Sequence, residues 1–317
     1  MKMRSLAGLL TTALIFASSI WIFTHQQEIS DWWRLRDYTP SSEIALLSDQ
    51  SGMNEEGERL FYIHAPELLP REDFSGKCTI DEETIVLGCY ITDTKIYVFD
   101  VDDERLDGIE EVTAAHEMLH AAYDRLSESE KAELDELLLS TFKSLNDERI
   151  IETVANYRMR DPRVVPNELH SILGTEVRDL PEELEAYYAR YFDDRLTVVT
   201  LAETYETAFT TLENQIESLD EQLAQLKQDI DERRNNLDLL NEALQNESAQ
   251  LDQLRSNPEA FNAALPSYNQ KVREFNNSLA VLSADITTYN QLVEERNDIA
   301  IEERELIQAL DTNFQEL

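Results

Sequence analysis

From residue 212 onward, apolar side chains recur at alternating steps of four and three: Leu212, Ile216, Leu219, Leu223, Leu226, Ile230, Leu237, Leu240, Leu244, Leu251 and Leu254. A stripe of that period runs along one side of a helix and is buried by a partner helix carrying a similar stripe. A second series follows the breakers Ser256-Asn257-Pro258 and Pro266: Val272, Phe275, Leu279, Leu282, Ile286, Tyr289, Val293, Ala300, Ile307 and Leu310. Together they predict an antiparallel coiled-coil hairpin over 201–317, with arms of about 45 to 50 residues that extend on the order of 70 Å each. Half of a longer oligomeric bundle has the same periodicity, so a coiled-coil partner or self-association stays open. Only 7 Gly and 8 Pro in 317 residues leave few sites for tight turns, so the rest of the chain is expected to be mainly helical too.

With 65 Asp and Glu against 27 Lys and Arg, the formal charge is −38. Binding phosphates needs a basic surface, so nucleic acid is excluded as a partner. Most of the acidic residues read as solvated helix faces.

Chemistry concentrates in Val112-Thr113-Ala114-Ala115-His116-Glu117-Met118-Leu119-His120-Ala121-Ala122. No Pro or Gly interrupts 109–126, and Asp107 with Glu110 has the spacing of an N-terminal capping box, so the stretch is expected to be one helix. Histidines four apart on a helix are rotated by about 40° and separated by about 6 Å, so both imidazoles reach one zinc ion. Glu117 then falls beside the metal's open position, where a carboxylate takes a proton from an activated water. His116 and His120 are thus candidate ligands and Glu117 the candidate general base. Neither His25 nor His64 has a partner at ligand spacing, and both read as non-catalytic.

At the other end, Lys2 and Arg4 precede an uncharged run from Ser5 to Phe23. Nineteen residues at 1.5 Å each give about 28 Å, the thickness of a bilayer's hydrocarbon core. Residues 1–27 are therefore expected to be a single-pass membrane anchor in the lipid bilayer, N-terminus cytoplasmic and the remainder extracytoplasmic, with a cleaved signal peptide as the competing reading. Trp21, Trp32 and Trp33 suit the headgroup level, or a buried tryptophan cluster. Residues 28–57, with Pro40, Ser41, Ser42 and Gly52-Met53-Asn54, read as a juxtamembrane linker. Cys78 and Cys89 bracket a β-branched, turn-containing stretch and are expected to form a disulfide, with free core thiols or a redox pair as the alternatives.

Strand-like runs at 59–65 and 90–101 predict a small β-sheet before the catalytic helix, of the kind whose edge holds an extended peptide by backbone hydrogen bonds. Ser127 and Glu130 form a second capping box, opening a helix to about Leu145, and further helices are expected near 149–159, 167–177 and 181–192.

Residues 58–200 resemble a gluzincin, the zincin class with HExxH and a downstream glutamate as third ligand. The likeness continues in Asn167-Glu168-Leu169-His170-Ser171-Ile172-Leu173-Gly174-Thr175-Glu176, which is similar to the family's glutamate helix. It implies a mainly helical α+β, zincin-like metallopeptidase domain that hydrolyses peptide or protein substrates with Zn2+. By that likeness Glu168 is the third ligand. Glu176, in the apolar stripe of Leu169, Ile172, Leu173, Val177 and Leu180, is the alternative, and otherwise a carboxylate orienting a zinc-bound histidine. Where many gluzincins carry that orienting acid this chain has Ile172, with Ser171 as a substitute donor or acceptor. His170 and Tyr157 are the nearest candidates for stabilising a developing oxyanion. The rival expectation is a non-catalytic envelope scaffold working through its coiled coil.

Overall fold

The computed structural model describes residues 16–78 and 86–312. It divides into two compact units, one holding the residues up to Ala208 together with those from Ile307, the other Phe209–Leu306.

In the first unit, residues 16–24 are helical and end in a turn at His25. Three helices follow: α1 Gln26–Asp37, α2 Ser42–Gln50 and α3 Glu55–Ile63. They overturn the expected linker at 28–57 and the expected strand at 59–65. The reason is local. Ser41 and Asn54 each accept backbone N–H groups at a helix start, and Gly57, Leu60, Phe61 and Ile63 fall on one buried face at helical spacing. A carboxylate ties α1 down: Asp31 accepts hydrogen bonds from Arg59 of α3 and from both terminal nitrogens of Arg125.

Among the described residues, no helix is long and apolar enough to cross a membrane. This overturns the single-pass anchor and, with it, the cytoplasmic and extracytoplasmic placement built on it. The apolar run reaches only Phe23 before the turn at His25 and the polar α1; residues 1–15 of the expected span lie outside the described residues. Trp21, Trp32 and Trp33 are exposed, not clustered in a core.

A three-stranded sheet forms from β1 Glu67–Leu69, β2 Gly88–Ile91 and β3 Lys95–Phe99 in the order β1-β3-β2. β3 pairs parallel with β1 and antiparallel with β2. Alternation along β3 serves two cores: Ile96 and Val98 join the main one, while Tyr97 and Phe99 face Phe74 of the short helix α4 Arg71–Phe74 and Cys78. The expected disulfide is present between Cys78 and Cys89.

The central element is α5 Ile109–Asp124, buried on nearly every side by small and apolar residues such as Ala114, Ala115, Met118 and Leu119. Its cap differs from expectation. Gly108, not Asp107, is the N-cap, with φ of 94° and Leu201 close against it, a backbone conformation that L side chains rarely adopt. Glu110 instead accepts the N–H of Val101. After α5 come α6 Glu128–Phe142, opened by the capping box of Ser127 and Glu130, α7 Glu148–Arg160, α8 Val165–Glu176 and α9 Glu182–Tyr188. α8 lies close against α5 at Gly174, where a Cβ would sit 2.4 Å from Leu119 and 2.8 Å from the Tyr188 ring.

Two long helices complete the chain, α10 Arg195–Gln253 and α11 Pro258–Leu310, joined by a short 3-10 turn. In the second unit, Arg233 pairs with Asp285, Glu247 with Lys271 and Asp220 with Arg296. Each step up α10 meets a step down α11, so the helices run antiparallel. Pro266 lies within α11 instead of breaking it. Of the predicted series on α11, Leu282 and Leu310 are buried as expected, while Leu279 and Ile307 face solvent and Leu306, outside the series, is buried.

Candidate metal centre

Two elements build the centre. α5 presents His116 and His120 one turn apart, their rings edge to face at 4.7 Å, and α8 brings Glu168 opposite them. Glu168 Oε2 lies 3.8 Å from Nε2 of each histidine, and the three potential ligand atoms lie within 4.8 Å of one another. A tetrahedral ion with bonds of about 2.1 Å spaces its ligands by about 3.4 Å, so this donor set fits a metal ion with small adjustments.

The tautomer fits as well. His120 Nδ1 lies 3.0 Å from Asn167 Oδ1 and 3.1 Å from Ser171 Oγ. The Ser171 hydroxyl donates to the carbonyl of Asn167, which leaves its lone pairs free to accept. With two acceptors facing it, Nδ1 carries the proton, and Nε2 turns a lone pair toward Glu168. Ser171 thus does what its position beside Ile172 suggests; the contribution of Asn167 was not anticipated.

Burial pushes the Glu168 carboxyl up, but the two histidines facing it and the Tyr157 hydroxyl together hold it below the ordinary carboxylate range. Tyr157, on α7, is at the centre. Its own hydroxyl is raised by burial and by the negative charge of Glu168 and Glu117. His170 is elsewhere: it is fully buried with Nε2 3.1 Å from the Tyr187 hydroxyl, and burial pushes it down to about 3. His64, also buried, bonds through Nδ1 to the Leu60 carbonyl, and His25 stacks on Trp21.

Glu176 is a correction. Eight residues along the helix from Glu168, about 12 Å, it neither reaches the histidines nor orients one. It pairs with Arg149 at 2.7 Å, and Arg149 also contacts Glu206 of α10. The carboxylate in the apolar stripe is thereby matched by a cation, which the stripe itself could not reveal.

Glu117 is 6% exposed, and burial pushes its carboxyl up to about 7, with Glu168 adding to the rise and His120 and the backbone N–H of Tyr90 opposing it. The strand β2 backs it directly. A Cβ on Gly88 would lie 2.8 Å from Glu117 Oε1 and 2.6 Å from Thr113 Cγ2, so glycine is what lets the strand approach α5. A glycine opening a strand-like run was the available signal for this contact, and Gly174 was the signal for the docking of α8. Neither says which helix is approached.

Comparison of the chain with protein-family models, with curated proteins and with solved structures finds no match.

Proposed function

We propose that the chain is a zinc metallopeptidase of the gluzincin kind, with His116, His120 and Glu168 as ligands and Glu117 as general base. The observation that carries this reading is the convergence of the three donors beside a buried carboxylate one residue from a ligand. Two imidazoles and one carboxylate are the donor set of hydrolytic zinc sites that keep a position open.

When bound, a divalent cation supplies Lewis acidity toward a water and toward a carbonyl oxygen. The remaining work falls to the chain. Glu117 takes a proton as water oxygen bonds to the carbonyl carbon, and returns it to the amide nitrogen as the carbon–nitrogen bond breaks. Asn167 and Ser171 keep His120 in the ligating tautomer. The Tyr157 hydroxyl, beside Glu168, is a donor available to charge that develops on oxygen. Among the described residues β2 is one of the sheet's two edge strands, and an extended peptide would pair with its backbone near Glu117.

The test is Glu117→Gln in the full chain. Zinc stoichiometry should be unchanged while hydrolysis of an unstructured protein substrate falls about 10²- to 10⁴-fold, the range of a lost general base. Undiminished cleavage, or wild-type protein that binds zinc and cleaves nothing in a broad peptide library, would overturn the proposal.

A further inference from the structure

Three consecutive residues of β2 meet around the base. Gly88 packs against the Glu117 side chain, the backbone N–H of Tyr90 lies by the Glu117 carboxylate, and Cys89 between them is bonded to Cys78. The other half of the disulfide is anchored: Cys78 is buried with Phe74, Tyr97 and Phe99 in the smaller core. Among the described residues, β2 has a strand on one side only, β3, over four paired positions. Its place against α5 is set by this short ladder, by the packing of Tyr90 on the main core and edge-on against His64, and by one covalent tie, which sits between the two residues beside the base.

We infer that the Cys78–Cys89 disulfide is a redox latch on the hydrolytic site: opening it lets β2 draw away from Glu117, and turnover falls while the metal ligands stay in place. The ligands are independent of the strand, since His116 and His120 are held by α5, and Glu168, Asn167 and Ser171 by α8. The inference rests on the peptidase reading for its effect on turnover, but not for its effect on the strand.

Access favours one sulfur. Cys89 is half-buried and Cys78 buried, so a thiolate of a dithiol reductant attacks Cys89 Sγ. The Sγ–Sγ bond breaks and Cys78 leaves as a thiolate that takes up a proton. The reductant's second thiol then closes its own disulfide and releases Cys89 as a thiol. Two electrons pass to the protein and the dithiol is oxidised.

The experiment uses the full chain loaded with zinc in three forms: oxidised, reduced with a water-soluble phosphine, and the double variant Cys78→Ser with Cys89→Ser. Metal content, amide exchange and peptide turnover are read on each. In both opened forms the Tyr90 amide should exchange at least tenfold faster than in the oxidised protein, while amides of α5 keep their protection and zinc stoichiometry holds. kcat/KM should fall at least tenfold and recover on reoxidation of the reduced wild type. Turnover and Tyr90 exchange both within twofold of the oxidised protein would overturn the latch. Loss of zinc together with loss of α5 protection would also overturn it, because the disulfide would then be a staple for the whole unit. If the oxidised protein cleaves nothing, the peptidase reading fails by itself; faster Tyr90 exchange then supports the latch on the strand and unchanged exchange overturns it.

Discussion

His120 faces two acceptors where one would fix its ring, and neither is charged. Asn167 Oδ1 and Ser171 Oγ both come from α8, one helical turn apart, and Glu168 lies between them in sequence. Ligand and orienting groups thus arrive on one rigid element. Replacement by Ala followed by zinc titration should separate them: Glu168→Ala is expected to weaken binding more than 100-fold and Asn167→Ala about 10- to 100-fold. Glu176→Ala should leave zinc affinity within about twofold, since that carboxylate serves Arg149. A greater loss at position 176 than at 168 would show that the centre forms differently. The two histidines and Glu117 were legible because their relation is local, four residues on one helix. The choice between Glu168 and Glu176 was not. It depends on how α8 docks and on a cation 27 residues earlier in the chain, and periodicity contains neither.

At the scale of elements, capping and periodicity located α5 to α9 with small shifts at their ends, because those helices carry their signals within themselves. The stretch 59–65 reads as strand because its β-branched and aromatic residues outweigh the Asn54 cap, although Leu60, Phe61 and Ile63 also fit a helical face. For α1 the only buried residue is Asp31, so no apolar pattern could announce the helix. Burial pushes the Asp31 carboxyl up, but hydrogen bonds and charge from Arg125 and Arg59 outweigh it and hold the group below its ordinary value. A depressed folded value means the unfolded chain binds the proton more tightly, so this contribution is present above about pH 4 and is lost as pH falls through the folded value. Asp31→Asn should lower stability at pH 7, on the order of 2 kcal/mol, and the gap to wild type should close below about pH 4 in thermal melts. A gap independent of pH would show that Asp31 acts by packing. In the second unit the heptads skip 233 and 247, and charged residues at those steps pair across the seam with Asp285 and Lys271. Arg233→Leu alone leaves Asp285 without its partner, whereas adding Asp285→Leu restores an apolar seam. Urea unfolding should place the single variant on the order of 1 kcal/mol below wild type and the double variant at or above it. A double variant as weak as the single one would mean that the pair specifies register as well as filling space.

For the whole molecule, the hairpin arms cannot be removed at the boundary that periodicity suggests. Heptads are visible from about residue 201, yet the compact first unit runs to Ala208 and resumes at Ile307. Ala202 is buried in the main core with Val198 and Val199, Tyr205 packs against it, and Glu206 meets Arg149 beside the end of α8. Arg195, buried at the start of α10, donates to the carbonyls of Val177 and Arg178 and pairs with Glu185, so it caps the helix that carries Glu168. On the returning helix, the carbonyls of Gln308 and Ala309 accept from Arg71, next to the sheet. A chain cut after residue 200 loses the later contacts of both segments; one in which a short flexible linker replaces 209–306 keeps them. The linked form should bind zinc within about threefold of the full chain and retain its cooperative melt. The chain cut after 200 should melt earlier and bind zinc more weakly, because the Arg149 bridge and the core contacts of Ala202 and Tyr205 are gone from the far end of α8. Equal zinc affinity and equal melting for the two shortened chains would show that the metal centre is self-sufficient within 58–200. Failure of the linked form alone would show that the first unit needs the hairpin to fold.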